Sequence, residues 1–459
     1  MITTIGDKTL LEHQIVAVKW MIEQEKGGLL CDEMGLGKTL SVIGMCINMP
    51  KPLTLLLCPL AVVPQWIAAL KDAGLTVYNF TGKEWLMCSK SANNDSLYYV
   101  SNTDKIIRTP SAFDDTWDRI IIDEAHQIRN FEGSKYQTID ALKRTTTWCL
   151  TATPIVNKLQ DVSSLLHLVN NKINVKETKK SIVLGYMEIY AMARNVQQIR
   201  EKIDIFPDSA DTYTHMIDFI NDEEKIFYRG VQGALKEELM NKIAQYDKNM
   251  NAIFEILLRL RQLSLHPQIY IDAKKKKHGA LYVRKDWNGD SAKLNELVNL
   301  ISSTATPHKW VIFCQFHGEM DIINERLQKE TAIESIWEYH GQMKIEERNE
   351  IIEKTKKELT TKHQVLLLQI HCGGTGLNLQ HMDRVVFTSP WWTAALMDQA
   401  VGRVMRIGQK NKVEIHHLKL KEGESMNIDD LIFSKVEQKR TLCNEVLASA
   451  LNTMDLDDC

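Results

Sequence analysis

A chain of 459 residues is too long for one hydrophobic core, so two or three domains are expected. Its 44% apolar and 25% charged content is that of an ordinary globular protein, and a net charge of −3 excludes an overall basic field for nucleic acid. Any polyanion contact must therefore come from local patches. Nine cysteines without one C-x-x-C pair speak against a zinc cluster or a disulfide scaffold and point to a reducing, intracellular setting. No basic segment followed by an apolar one opens the chain, and no apolar run approaches membrane-spanning length. A soluble, non-secreted protein with no membrane partner is expected.

Leu11 to Met21 carries apolar residues at helical spacing, with Gln14 near its start. The apolar run Gly28-Leu29-Leu30-Cys31 then leads into Asp32-Glu33-Met34-Gly35-Leu36-Gly37-Lys38-Thr39. A buried strand running through a glycine-bearing turn into a helix gathers backbone N–H groups and the positive helix end around one point, which suits phosphate. Lys38 is then placed to reach the β/γ-phosphates, and the Thr39 hydroxyl to hold magnesium. The strict phosphate-loop pattern has glycine where Asp32 stands. Taken alone, the stretch also fits an ordinary turn before a helix.

Leu53 to Pro59 reads as a central parallel strand buried on both faces, and Pro64-Gln65-Trp66 opens a further helix. Asp118 to Asp123 is a second apolar strand, ending in Asp123-Glu124-Ala125-His126. Ligands of parallel α/β sheets collect at the carboxyl ends of strands, so both acids belong on the edge of the phosphate turn. Asp123 is placed to hold magnesium, and Glu124 to orient and deprotonate an attacking water. A third strand, Thr147 to Leu150, ends in Thr151-Ala152-Thr153-Pro154, whose hydroxyls are placed to relay the state of the γ-phosphate.

From about Asn170 the pattern turns helical. Ile256 to Leu263 is amphipathic, with Arg259 and Arg261 on its polar face, and Lys274 to Lys277 reads as a solvated loop. A second α/β pattern follows, with strands at Trp310–Gln315, Gln364–Leu368 and Arg384–Phe387. The middle strand leads into a glycine-rich turn, His371 to Leu379, expected before a helix. The third leads to Trp391-Trp392 and a helix in which Arg403 and Arg406, three apart, share a face. Two neighbouring guanidinium groups need anions, which a triphosphate or surface acids supply.

In this order, these stretches resemble the SWI/SNF-type ATPases of helicase superfamily two over nearly the whole chain. The likeness rests on Gln14, on Asp32 to Thr39, on Asp123 to His126 and on Thr151 to Pro154, with Ala152 in place of a glycine. It also rests on Asn221 to Tyr228, Leu260-Arg261-Gln262 with His266-Pro267, Ser291 to Leu294, Gly373 to Leu379 and Gln399 to Gln409. Departures are His371-Cys372, Thr393-Ala394 and Ala193-Arg194-Asn195, the last where the family has a double arginine.

The resemblance implies an α/β fold of two RecA-like parallel-sheet lobes, residues 1–169 and 291–459, with a mostly helical insertion at 170–290. It implies a DNA-dependent ATPase with ATP and magnesium gripped between the lobes. Gln14, Gly35, Leu36, Gly37, Lys38, Thr39 and Gly376 would bind ATP, and Thr39 and Asp123 the metal. Glu124, Lys38, Arg403 and Arg406 would be catalytic, the arginines as fingers. Thr151, Thr153 and Gln399 would couple the cycle to movement. The implied partner is double-stranded DNA, bound without sequence preference and tracked along its backbone to remodel or displace protein–DNA complexes. Ser101, Thr103, Gln315, Gly374, Thr375 and Trp392 are candidate contacts, expected on loop ends opposite the ATP edge. A strand-separating helicase, an RNA-dependent ATPase and a nucleotide-switched DNA-binding scaffold are the rival readings. With the lobes and insertion filling the length, targeting would fall to a protein partner, in a nucleus or a virus- or phage-infected cell.

Overall fold

The computed structural model describes residues 1–92, 94–200, 209–244, 250–373, 377–406, 408–421 and 427–451. They form two compact units. The first comprises Met1–Phe206, Thr393–Ala395 and Gln438–Cys459; the second comprises Pro207–Trp392 and Leu396–Glu437.

The first unit opens with a small antiparallel ribbon, β1 (Thr4–Ile5) and β2 (Lys8–Thr9). Its main sheet contains β3 (Gly27–Leu30), β4 (Leu53–Cys58), β5 (Thr76–Phe80), β6 (Trp85–Ser89), β7 (Leu97–Asn102), β8 (Trp117–Asp123), β9 (Arg144–Leu150) and β10 (Ala191–Met192). They lie in the order β10-β3-β9-β8-β4-β7-β5-β6, parallel throughout except for the β5–β6 pair.

The apolar runs of the central strands follow from burial on both faces. Leu29, Leu55, Leu57, Ile120, Ile122 and Cys149 point into one core. The alternate residues Leu30, Leu56, Ile121, Trp148 and Leu150 point into the other. Helices α1 (Glu12–Glu23), α2 (Lys38–Asn48) and α3 (Val63–Asp72) cover the second face. The helices at Ser134–Asp140, Gln160–Val169 and Lys180–Tyr190 cover the first, joined by Cys443, Val446 and Ala450 of the helix Ile428–Leu451.

The second unit holds β11 (Asp211–Ile217), β12 (Lys309–Cys314), β13 (Ile333–Tyr339), β14 (His363–Gln369), β15 (Arg384–Phe387) and β16 (Glu414–Leu420). Their order is β11-β16-β15-β12-β14-β13, all parallel. The helices Asp222–Ala244, Met250–Leu265 and Pro267–His278 belong to this unit.

Several expectations are corrected here. The lysine tract 274–277 is helical, being the end of Pro267–His278. Lys275 pairs with Asp286 at 2.6 Å and Lys277 with Glu255 at 2.6 Å. Arg261 is buried rather than on a polar face. Its guanidinium lies 4.7 Å from the Trp391 ring centroid and donates to the Pro390 carbonyl at 3.1 Å. Burial lowers its pKa to about 10. Arg259 donates to Gln262 at 2.8 Å. The stretch expected to be helical from Asn170 on contains two strands, β10 and β11, each added to the edge of a sheet. The stretch His371 to Leu379 overlaps a short helix, Ile370–Gly373, and residues 377–383 contain no helix. No helix among the described residues is long and apolar enough to cross a membrane.

Candidate nucleotide site

Adjacency of β3, β9 and β8 brings three strand ends level. Leu30 pairs with Leu150, and Leu150 with Asp123. The turn after β3 and the acids after β8 thus share the carboxyl edge of the sheet, as parallel topology requires.

In the turn, Gly35 (φ 91°) and Gly37 (φ 78°) both adopt the left-handed conformation, and Gly37 caps α2. A Cβ on Gly37 would lie 2.3 Å from Gln14 Nε2, so α1 is seated against the turn with no room for a side chain between them. Gln14 is buried, accepts from the Leu11 N–H at 2.9 Å and donates to the Leu36 carbonyl at 3.2 Å. Leu36 is fully buried. Lys38 starts α2 and folds back over the turn, its ammonium donating to the Asp32 carbonyl at 2.7 Å. Thr39, the second residue of α2, lies at the same helix end.

Asp123 closes β8. Its Oδ2 accepts from the Trp66 indole at 2.8 Å and its Oδ1 from the Glu124 N–H at 2.9 Å. Burial, and then the neighbouring Glu124 carboxylate, push its pKa upward. Glu124 itself has φ 50°, the one non-glycine residue with positive φ among those described. Such strained side-chain-bearing residues cluster at active sites and ligand clamps. Glu124 Oε2 sits 3.3 Å from His126 Nδ1, which lies 3.1 Å from the Thr151 hydroxyl; that hydroxyl accepts from the Thr153 N–H at 3.1 Å. Thr151 is fully buried, and the Thr153 hydroxyl is buried without a hydrogen-bond partner. The carboxylate and both threonines are thereby joined through His126, whose connecting role the sequence reading did not assign. Its signal was the spacing of Glu124 and His126, two apart at a strand end.

These groups suit the chemistry. Left-handed glycines, a helix N-terminus and a lysine form an anion cradle. Two adjacent carboxylates at a buried strand end carry negative charge that a divalent cation would balance. Among the described residues no cluster of three His, Cys, Asp or Glu side chains stands ready for a metal. Magnesium keeps waters and phosphate oxygens and needs one or two protein ligands, which Thr39 and Asp123 would supply.

In the second unit, Arg403 lies in the helix Ala394–Val404 and is largely buried, as is Gln399. Arg406 falls just beyond that helix rather than on its face. It donates from Nε to the Gly402 carbonyl at 3.1 Å. Its pKa is lowered to about 10 by burial and then by Arg403, so the two guanidinium groups still feel each other. Gly374, Thr375 and Gly376 lie outside the described residues. Trp392 and Gln315 are half-buried. Ser101 and Thr103 do not lie opposite the phosphate turn. Ser101 pairs with Leu57, and Leu57 with Ile122, which puts them on the same carboxyl edge; both are buried. Gln315 likewise follows the carboxyl end of β12.

Parallel-sheet bodies with a phosphate turn and an acidic strand end define a helicase-like ATPase core. Residues 13–269 match the SNF2-related domain, and residues 292–408 the helicase conserved C-terminal domain. The chain belongs to the SNF2-related family. It is 27% identical to the probable global transactivator of Orgyia pseudotsugata multicapsid polyhedrosis virus, over 97% of this chain and 93% of that protein. It is 25% identical to a putative ATP-dependent helicase/translocase of Bacillus subtilis, over 98% of this chain. There it spans 50% of the relative's length. Among solved structures it is similar to the Sulfolobus solfataricus SWI2/SNF2 ATPase core in complex with dsDNA, with 24% identity, 99% of each chain covered and a TM-score of 0.43.

Proposed function

We propose that this chain is a double-stranded-DNA translocase that hydrolyses ATP with magnesium and tracks the DNA backbone to remodel or displace protein–DNA complexes. The observation that carries the reading is the strained Glu124, tied through His126 to Thr151 at the edge that also holds the phosphate turn. In this reading Glu124 orients and deprotonates the attacking water. Lys38 and the turn from Gly35 to Thr39 bind the phosphates, Gln14 faces the adenine, and Thr39 and Asp123 hold magnesium. Arg403 and Arg406 neutralise the transferring phosphoryl group, and Gly376 completes the nucleotide contacts. Thr151, Thr153 and Gln399 pass the nucleotide state on. Residues 1–169 and 291–459 act as the two motor lobes, with 170–290 as the insertion. Duplex contacts fall to the half-buried Gln315 and Trp392 first, with Gly374 and Thr375. Contact with the sugar–phosphate backbone carries no sequence information, so binding is nonspecific and salt-sensitive.

The test compares ATP turnover with linear duplex, single-stranded DNA and RNA, together with displacement of a triplex-forming strand. Strongest stimulation by duplex, with ATP-dependent triplex displacement, is the expected result. Equal stimulation by RNA would favour an RNA-dependent ATPase. Strand separation on a forked duplex would favour a helicase, and binding without displacement a nucleotide-switched scaffold.

A further inference from the structure

The acid that stands in place of the phosphate turn's first glycine has a partner from far along the chain. Asp32 is fully buried, and Arg194 clasps it with two bonds, Nε to Oδ1 at 2.9 Å and Nη2 to Oδ2 at 2.5 Å. The remaining Nη1 donates to the carbonyl of His13, the residue before Gln14 on α1. Strand pairing supplies the approach: β10 lies beside β3, and Arg194 follows it by two residues. The same segment holds the turn at three more places. The Arg194 carbonyl accepts from the Glu33 N–H at 2.8 Å, and Glu33 Oε2 accepts from the Val196 N–H at 2.6 Å. Ile199 and Val196 pack on the buried Leu36.

We infer that Arg194 is a positioning residue for the nucleotide, bridging Asp32 at the start of the phosphate turn to α1 so that the base side and the phosphate side keep a fixed separation. The inference rests on the proposed ATP site. A planar guanidinium is needed because it serves a carboxylate with two parallel bonds and still has a donor for a third acceptor. Lysine keeps the charge but cannot make this fork. Removing Arg194 alone strands a buried carboxylate, so the informative variant removes both charges, Arg194→Gln with Asp32→Asn.

The test measures affinity of the full chain for ATP and for inorganic tripolyphosphate, which uses the phosphate-binding groups but not the base side. In the double variant, tripolyphosphate affinity is expected to stay within about threefold of the parent while ATP affinity falls at least about tenfold, so that KM rises more than kcat falls. Arg194→Lys, which leaves no unpaired charge, is expected to move the ATP-to-tripolyphosphate ratio in the same direction by a smaller factor, and serves if the double variant does not fold. A merely structural role would weaken both ligands equally or neither, and either result overturns the inference. A parent chain that binds tripolyphosphate but gains nothing from the adenosine moiety overturns it too. Failure of the parent to bind either ligand would instead overturn the ATP site on which it rests.

Discussion

His126 Nδ1 lies 3.1 Å from the Thr151 hydroxyl and 3.3 Å from Glu124 Oε2, so one buried imidazole faces both the acid that follows β8 and the threonine that follows β9. Burial, ahead of the nearby Arg129, lowers its pKa to about 4, so the ring is neutral at physiological pH. Both contacts fall on Nδ1, and a carboxylate only accepts, so the neutral ring serves them as its Nδ1–H tautomer. It therefore orients its neighbours by hydrogen bonding rather than by charge.

Replacing His126 with alanine should leave the phosphate turn untouched and release the Glu124 side chain. Turnover is expected to fall about 10- to 100-fold, the range for residues that orient an acting group, with ATP affinity close to the parent's. Single-turnover hydrolysis and a separate binding titration check this. An unchanged single-turnover rate would remove the imidazole from the mechanism.

Glu124 has a backbone that glycine adopts freely and other residues resist. For an L-residue the left-handed region costs about 1–2 kcal/mol, while glycine's extra freedom in the unfolded chain returns about 0.5–1 kcal/mol. Glu124→Gly should therefore be more stable than Glu124→Ala by about 0.5–1 kcal/mol, although neither retains the carboxylate. Urea unfolding of the two variants decides it. A more stable alanine variant would mean that the residue relaxes out of the positive-φ region.

The strands at the centre of each sheet were legible because burial on both faces forces unbroken apolar runs, as in Leu53–Cys58 and Trp310–Cys314. The edge strands were not. Ala191–Met192 is too short to carry a period, and Asp211–Ile217 is largely exposed and correspondingly polar. The phosphate turn and the acids were legible because their chemistry is local. Arg194 was not, since its partner Asp32 is brought to it only by the pairing of β10 with β3. Arg261 misled for a related reason: an arginine at a polar-looking helical position is buried when an aromatic face such as Trp391 receives it.

That stacking gives a stability prediction. Arg261 donates to Pro390 and lies over Trp391 immediately before the segment that leads to Arg403. A desolvated cation–π contact is worth about 2 kcal/mol and a charge-assisted hydrogen bond about 1.5–3 kcal/mol, so Arg261→Ala should destabilise the second unit by at least about 2 kcal/mol. Arg261→Lys should recover less than half, because an ammonium neither stacks nor forks. Thermal unfolding of the full chain, followed by tryptophan fluorescence, reports the change. Equal stability of parent and alanine variant would show that the ring contact contributes nothing.

Acid sensitivity should come from buried neutral histidines, and His266 is the one whose role is easiest to isolate. Its Nδ1 accepts from the Gln268 N–H at 3.1 Å at the start of the helix Pro267–His278. Burial lowers its pKa to about 4, against the opposing influence of Asp290 and a hydrogen bond that the ring donates to the Gly289 backbone. The unfolded chain takes up this proton near pH 6.5, before the folded chain does, so its contribution to stability is intact above pH 6.5. That contribution is lost as pH falls toward about 4, at up to about 1.4 kcal/mol per pH unit. Asparagine also accepts at a helix start but does not titrate. His266→Asn should therefore match the parent near pH 7.5 to within about 1 kcal/mol and lose less stability between pH 6.5 and pH 4.5. Urea midpoints across that range measure the difference, and parallel curves for the two proteins would exclude His266 as a source of the acid response.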